Sequence, residues 1–364
     1  MSITSITYLF RSPGTGHSIE ELFGSVRRGM ARQSVHRTNV VCLPRVSRGL
    51  SSVWRNLRFV ARQLWPGLVH VTGDVHYAVL ALPASRTVLT IHDCITLDAN
   101  RNRPLRYALF WLLWFYLPIR RAAVVTAVSE KTRQDLLRYV GRIAEKVVVI
   151  PNGCDPVFVE SSGLDRSGLD WPGLDGSGLD RSRSFRSAQP VLLQIGTAPH
   201  KNLPRLTEAL DGLACLLVIV GPLSQEMVAD LVKRRITYRN YVNLSRAQVM
   251  QLYIDCDIVT FVSTYEGFGM PVLEANAVGR VVITSDLPPM RDVAGGAAHL
   301  TDPTDAAAIR RGILRLIHDD AYRQHLIDAG YRNAQRYSMA TMAAQYRALY
   351  DRLVRNKRVN TPAL

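Results

Sequence analysis

Short apolar runs alternate with amphipathic stretches along most of this chain. Residues 3–10, 39–43, 68–72, 87–91, 124–128 and 147–150 are short, β-branched and continuously apolar rather than alternating. Strands buried on both faces of a parallel sheet read this way. Residues 19–32 carry a helical pattern instead, and helices between strands imply βαβ units. The pattern breaks after Phe158. Four Gly-Leu-Asp copies follow at a five-residue spacing between residues 163 and 180. Five residues are too few for a stacking repeat, and the Ser- and Gly-rich composition predicts a flexible linker expansion. Strand-like runs resume at 191–195, 216–220, 258–262 and 281–284, the first two closed by Gly196 and Gly221. The tail, 339–357, is again helical in pattern.

The expected fold is therefore α/β, with two Rossmann-like parallel-sheet domains. They cover residues 1–158, joined by the tail helix 339–357, and residues 190–338, with the linker at 159–189. Ligands of such sheets bind at the carboxyl ends of the strands, which predicts a site in the crevice between the domains.

Composition narrows the class. The chain has 364 residues, 47% of them hydrophobic, enough for sizeable cores. The first ten residues lack a basic region and a cleavage-like stretch, so no secretory signal is expected. No run reaches the roughly 18–20 apolar residues of a membrane span. The longest, 107–119, is flanked by Arg101, Arg103 and Arg106 on one side and by Arg120 and Arg121 on the other. It reads either as a tryptophan-bearing headgroup helix or as a core helix of the first domain. Five scattered cysteines without a CxxC pair argue against a disulfide framework or zinc site and for a reducing cytoplasm.

The formal net charge is +15. Between Leu22 and Gly73 there are nine arginines and no acid, with Arg55, Arg58 and Arg62 at helical spacing. Such a field attracts nucleic acid, anionic lipid or phosphorylated substrates, and composition does not choose among them. No zinc-finger, recognition-helix or RNP signature accompanies it.

The most informative segment is Glu266-Gly267-Phe268-Gly269-Met270-Pro271-Val272-Leu273-Glu274, directly after a predicted strand. Its glycines allow close backbone approach to a ligand. Pro271 suits the first position of a helix, which would place Glu274 in the first turn. The free N–H groups of such a helix suit a diphosphate, and the two carboxylates suit sugar hydroxyls. A second glycine loop, Ser12-Pro13-Gly14-Thr15-Gly16-His17-Ser18, lacks the lysine of a Walker loop.

These residues resemble the E-x7-E motif of retaining family 4 glycosyltransferases, the bacterial group 1 enzymes of the GT-B fold. The likeness spans nearly the whole chain. Thr90-Ile91-His92-Asp93, Val128-Ser129-Glu130, Ile150-Pro151-Asn152-Gly153 and Gly196-Thr197-Ala198-Pro199-His200-Lys201-Asn202 are similar to its other landmarks, in the same order.

The resemblance implies two Rossmann-like domains facing each other across a deep cleft. It implies transfer of a hexose from a nucleotide sugar, GDP-mannose by analogy with relatives. The acceptor would be a glycan or a lipid-diphosphate-linked chain of a bacterial surface polysaccharide, such as lipopolysaccharide. Work on a lipid-linked acceptor would place the protein at the inner face of the cytoplasmic membrane.

It also implies residue roles. Glu274 would bind the ribose and Glu266 the transferred sugar, with Phe268, Gly269 and Met270 offering backbone N–H groups. Lys201, with Gly196 and Thr197, would meet the leaving diphosphate. Relatives often carry Arg before that Lys, where this chain has His200. Gly14 and Gly16 would close over the donor. His92 would sit beside the reacting sugar, with Asp93 orienting it. No Asp-x-Asp motif lies beside a donor loop, so no metal or other cofactor is expected. A sugar-nucleotide epimerase or a glycan phosphorylase shares such a fold, but a phosphorylase needs a pyridoxal lysine and a longer chain. A basic nucleic-acid-binding protein is the alternative from another class.

Overall fold

A computed structural model describes residues 5–14, 18–31, 36–155, 157–158 and 189–359. Gly16 and the Gly-Leu-Asp repeat therefore lie outside the described residues. The chain divides into two units, Met1–Gly153 with Met339–Leu364, and Cys154–Ser338.

The first unit contains β1 (Ser5–Phe10), β2 (Arg37–Cys42), β3 (Leu68–Val71), β4 (Thr87–Ile91), β5 (Val124–Ala127) and β6 (Val147–Val149). They form a parallel sheet in the order β2-β1-β3-β4-β5-β6. Successive residues of these strands serve different cores. Tyr8, Leu68 and Val88 join a cluster with Phe23, Tyr346 and Tyr350 from the helices Ser18–Ala31 and Met339–Val359. Leu9, Val69 and Leu89 join the opposite cluster, with Val53, Val60, Tyr77, Trp114 and Phe115. Both faces are covered, which is why the strands are apolar without alternation.

The segment 107–119 belongs to that second core. Trp114, Phe115 and Ile119 are buried, and Tyr107, Phe110, Trp111, Leu113 and Tyr116 pack against the cluster. Trp114 Nε1–H donates to the Asp74 carbonyl (2.9 Å) and Trp111 Nε1–H to the Tyr139 carbonyl (2.8 Å). Their polar tips are thus satisfied by protein rather than by a headgroup region, and the core-helix reading is the one the fold adopts. Arg121 is also engaged, donating to the carbonyls of Val79 and Leu82.

The tail helix is fixed by a buried polar chain. His70 lies 2.6 Å from the Tyr350 hydroxyl through Nδ1 and 2.7 Å from Thr90 Oγ1 through Nε2. Complete burial pushes the His70 pKa down to about 3, so the ring is neutral.

The second unit contains β7 (Val191–Ile195), β8 (Leu216–Val220), β9 (Thr237–Tyr241), β10 (Ile258–Phe261), β11 (Val281–Ser285) and β12 (His299–Thr301). Its parallel sheet runs β12-β11-β10-β7-β8-β9, the order of a dinucleotide-binding fold. Two of its strands have no counterpart in the apolar pattern. β9 and β12 are edges, and an edge strand with polar, half-exposed residues gives no continuous run. Residues 154, 155, 157 and 158, grouped with the first domain by sequence, belong to this unit. Cys154 N–H donates to the Tyr337 carbonyl (2.6 Å), and the Phe158 ring meets Tyr253 edge-on at 5.5 Å.

Candidate active site

Chain order reverses in the second sheet between β7 and β10, which pair directly. Ligands of doubly wound sheets bind at the carboxyl ends beside such a switch point. The loops leaving these two strands carry Lys201 and Glu266.

They are laced together. Thr264 N–H donates to the His200 carbonyl (2.8 Å), and Asn202 Nδ2 to the Val262 carbonyl (3.0 Å) and the Pro303 carbonyl (2.7 Å). Lys201 Nζ donates to Glu266 Oε1 at 2.6 Å, and its ammonium also lies 4.9 Å from the centroid of the Phe261 ring. Two buried polar residues below support the lysine loop. Gln194 Nε2 donates to the carbonyls of Gly196 and Lys201, both at 3.2 Å, and Gln194 Oε1 accepts from Thr260 Oγ1 at 3.1 Å. Sequence reasoning missed this pair. The signal was present: each is a polar intrusion in an apolar strand, and the two are register partners.

Gly196 is required twice over. Its φ is +90°, and a Cβ there would meet the Lys201 side chain at 3.1 Å. Thr197 is turned to structure, its hydroxyl donating to the Pro222 carbonyl at 2.6 Å.

The helix after Glu266 runs Met270–Ala277, with Gly269 at its N-cap (φ +127°) and no side chain capping it. Pro271 is thus the second helical residue and Glu274 the fifth, one residue deeper than expected and just past the first turn. Pro271 has no N–H, so the helix can still start one residue earlier at Met270. The deeper position buries Glu274 to 5% exposure. Its Oε1 accepts from Arg246 Nη2 at 2.8 Å and its Oε2 from the Tyr253 hydroxyl at 2.6 Å. Burial keeps Tyr253 protonated, its pKa raised well above the ordinary value. Burial disfavours the Arg246 charge, but the Glu274 carboxylate beside it outweighs this and raises the arginine's pKa. Arg246 and Tyr253 belong to no motif; nothing in the sequence marks them. Phe268 is buried against Tyr337, ring centroids 5.8 Å apart.

The chain's single Asp-x-Asp sequence, Asp255-Cys256-Asp257, precedes β10, at the amino end of that strand and away from these loops. Asp257 Oδ2 accepts from Val191 N–H (2.8 Å).

In the first unit, chain order reverses between β1 and β3. Gly14 follows β1 with φ +83°. His92 leaves β4, and its Nε2 lies 2.7 Å from the Thr72 carbonyl, with Phe23 edge-on to the ring at 6.2 Å. Burial lowers the His92 pKa, the carbonyl bond acting the other way, so the ring is neutral. Nε2–H then donates to Thr72 and Nδ1 is left as an acceptor. The Thr72 carbonyl thus holds the His92 ring by a hydrogen bond; Asp93 Oδ1 accepts from Ile95 N–H at 3.0 Å.

Comparisons with known proteins bear on the family and the fold. The model for Glycosyltransferase Family 4 matches residues 8–158, and the model for Glycosyl transferases group 1 matches residues 179–333. O-antigen chain mannosyltransferase B of Escherichia coli is 25% identical over 274 residues, 71% of this chain and 68% of that protein. Serotype-specific mannosyltransferase WbdA of Escherichia coli is 24% identical over 304 residues. That match takes in 76% of this chain but only 36% of WbdA. Among solved structures, HepE of Anabaena in complex with UDP and glucose superposes with a TM-score of 0.69 at 18% identity, covering 96% of this chain and 99% of that one. Two parallel six-stranded sheets of this kind define the GT-B class of glycosyltransferases. Within it, the chain belongs to the group 1, or family 4, glycosyltransferases.

Proposed function

We propose that the protein is a retaining hexosyltransferase that moves mannose from GDP-mannose to a growing surface polysaccharide carried on a lipid diphosphate. The observation that carries the donor side is the pairing of Lys201 with Glu266 at the switch point, in the loop that leads into the helix Met270–Ala277 bearing the buried Glu274. The choice of sugar leans on the O-antigen and serotype-specific mannosyltransferases among the relatives.

In this reading Glu274 accepts hydrogen bonds from the ribose. Backbone N–H groups at 268–270 meet the diphosphate and sugar, together with the Gly196–Thr197 turn. Glu266 turns to the sugar hydroxyls, and Lys201 to the diphosphate. The bond between C1 and the phosphate oxygen breaks with its electron pair leaving on the nucleotide. The acceptor oxygen bonds to C1 on the same face, and its proton passes to the departing phosphate. No covalent enzyme intermediate forms. A lysine aimed at the developing charge does the work a metal would otherwise do, so the reaction proceeds without one. His92, neutral and fixed by Thr72, holds the sugar or acceptor through its free nitrogen, and Gly14 lies on the donor side.

The test is a panel of sugar nucleotides scored by thermal stabilisation and then by transfer to a lipid-diphosphate acceptor, with and without EDTA. A bound donor raises stability by mass action. Stabilisation by GDP-mannose with EDTA-insensitive, anomer-retaining transfer is the expected result. Interconversion of free sugar nucleotides without transfer would instead identify an epimerase.

The partner surface we infer is an anionic membrane, met by the first unit. Among the described residues, no helix is long and apolar enough to cross a bilayer. On the helix Leu50–Arg62, Val53, Asn56 and Val60 face the core, and the opposite face exposes Leu50, Trp54, Arg55, Arg58 and Arg62. Leu64 follows, 93% exposed. Exposed tryptophan and leucine among arginines suit the headgroup region.

A further inference from the structure

Resting on Glu274 as the ribose ligand, the residues around that carboxylate carry one step more. A carboxylate has about four lone-pair positions. Arg246 takes one on Oε1 and Tyr253 one on Oε2, which leaves one on each oxygen. That remainder matches two hydroxyl donors side by side.

Arg246 is itself held at three points. It opens the helix Arg246–Asp255, whose start is fixed by a capping box between Ser245 and Gln248. Its guanidinium lies 4.4 Å from the centroid of the Phe158 ring, and Phe158 is braced edge-on by Tyr253. Phe158 and Tyr253 are both fully buried. The side chain is therefore not a free surface arginine that happens to reach an acid. A planar guanidinium clamped between an aromatic face and a carboxylate has one orientation, and it imposes that orientation on the carboxylate.

We propose that Arg246, gripped by Phe158, is a positioning residue of the donor site. It turns Glu274 so that its two remaining lone pairs receive the vicinal 2′- and 3′-hydroxyls of a ribonucleoside diphosphate. Specificity for ribose over deoxyribose then depends on a residue that does not touch the ligand.

Calorimetric titration of the full chain with GDP and UDP, and with their 2′-deoxy forms, tests this. For whichever base binds, Arg246→Gln should weaken the ribonucleotide about tenfold, the ratio expected for losing one charge-assisted hydrogen bond. It should also bring the ribo and deoxy affinities close together. Arg246→Lys should restore part of the discrimination. Phe158→Leu should cost a smaller factor, and the double variant with Arg246→Gln should be no weaker than Arg246→Gln alone. If Arg246→Gln unfolds, Arg246→Lys and Phe158→Leu decide by the same ratio. An Arg246 variant that keeps the native ribo-to-deoxy ratio, while Glu274→Ala loses binding, overturns the role of Arg246 and leaves Glu274 in place. Native affinity in Glu274→Ala removes the ribose assignment itself, and this proposal with it.

Discussion

Lys201 Nζ and Glu266 Oε1 lie 2.6 Å apart, closing a bridge between loops that leave adjacent strands of the second sheet. The two side chains retain only 18% and 14% exposure. A charge so far removed from water needs a partner. Here each supplies the other; in the proposed function, diphosphate and sugar hydroxyls would take over when donor binds. In that reading the pair would hold the site's geometry between turnovers.

Breaking this bridge from one side should cost more stability than removing it whole. Lys201→Met and Glu266→Gln are each expected to lose about 1–3 kcal/mol, because one group is left buried without its partner. The double variant should lose less than the sum. Urea unfolding of all three forms a double-mutant cycle, and simple additivity would contradict the coupling.

The two glutamates should fail differently. Glu274→Ala is expected to raise the donor KM by roughly 10- to 150-fold, from a lost charged hydrogen bond of about 1.5–3 kcal/mol. Glu266→Ala should act mostly on kcat, since in the proposed function its ligand is the reacting sugar. Steady-state kinetics separates the two, and identical profiles would contradict the assignment.

Gly196 and Gly212 make a matched pair, since both have positive φ, +90° and +69°. Alanine at either should cost about 1 kcal/mol or somewhat more in backbone strain. Only at Gly196 would the new Cβ press on Lys201 (3.1 Å); at Gly212 nothing lies within 4 Å. Gly196→Ala should therefore lose most activity, and Gly212→Ala little, at similar melting temperatures.

Acid should weaken the first unit early. His70, His76 and His92 are buried and neutral, with pKa values lowered from 6.5, to about 3 for His70 and about 4 for His76. A histidine whose folded pKa lies below its unfolded one binds fewer protons when folded. Stability then falls as pH drops below about 6.5, by up to about 1.4 kcal/mol per pH unit for each ring, until the folded pKa is reached. Melting followed from pH 7 to 4 should show this slope, reduced by one proton in His70→Gln. A flat profile down to the carboxylate range would refute it.

Vesicle sedimentation should find the protein with phosphatidylglycerol-containing membranes at low salt and release it as salt rises. Reversing Arg55, Arg58 and Arg62 to Glu should abolish binding, at about 1 kcal/mol or more per site. Trp54→Ala, which removes a ring 58% exposed under the Arg58 guanidinium, should weaken it. A protein that stays in the supernatant under all conditions would point to a soluble acceptor.

Much of this was legible in the chain before folding. Continuous β-branched runs located the central strands, because strands covered on both faces need apolar residues at every position. The glycines before Lys201 and Glu274 marked the loops of the candidate site, because Gly196 and Gly269 take a positive φ that side chains rarely adopt. The edge strands β9 and β12 were not legible, since an open side relaxes the need for apolar residues. Segment 107–119 was ambiguous for the opposite reason: a tryptophan-rich apolar run suits a membrane surface and a protein core alike. What decided was which carbonyls lay within reach of its indole N–H groups. The same holds for Arg246, Tyr253 and Gln194. Each acts through a partner between 21 and 66 residues distant in sequence. Side-chain type fixes what such a residue can bond to; only the packed sheet decides which partner it meets.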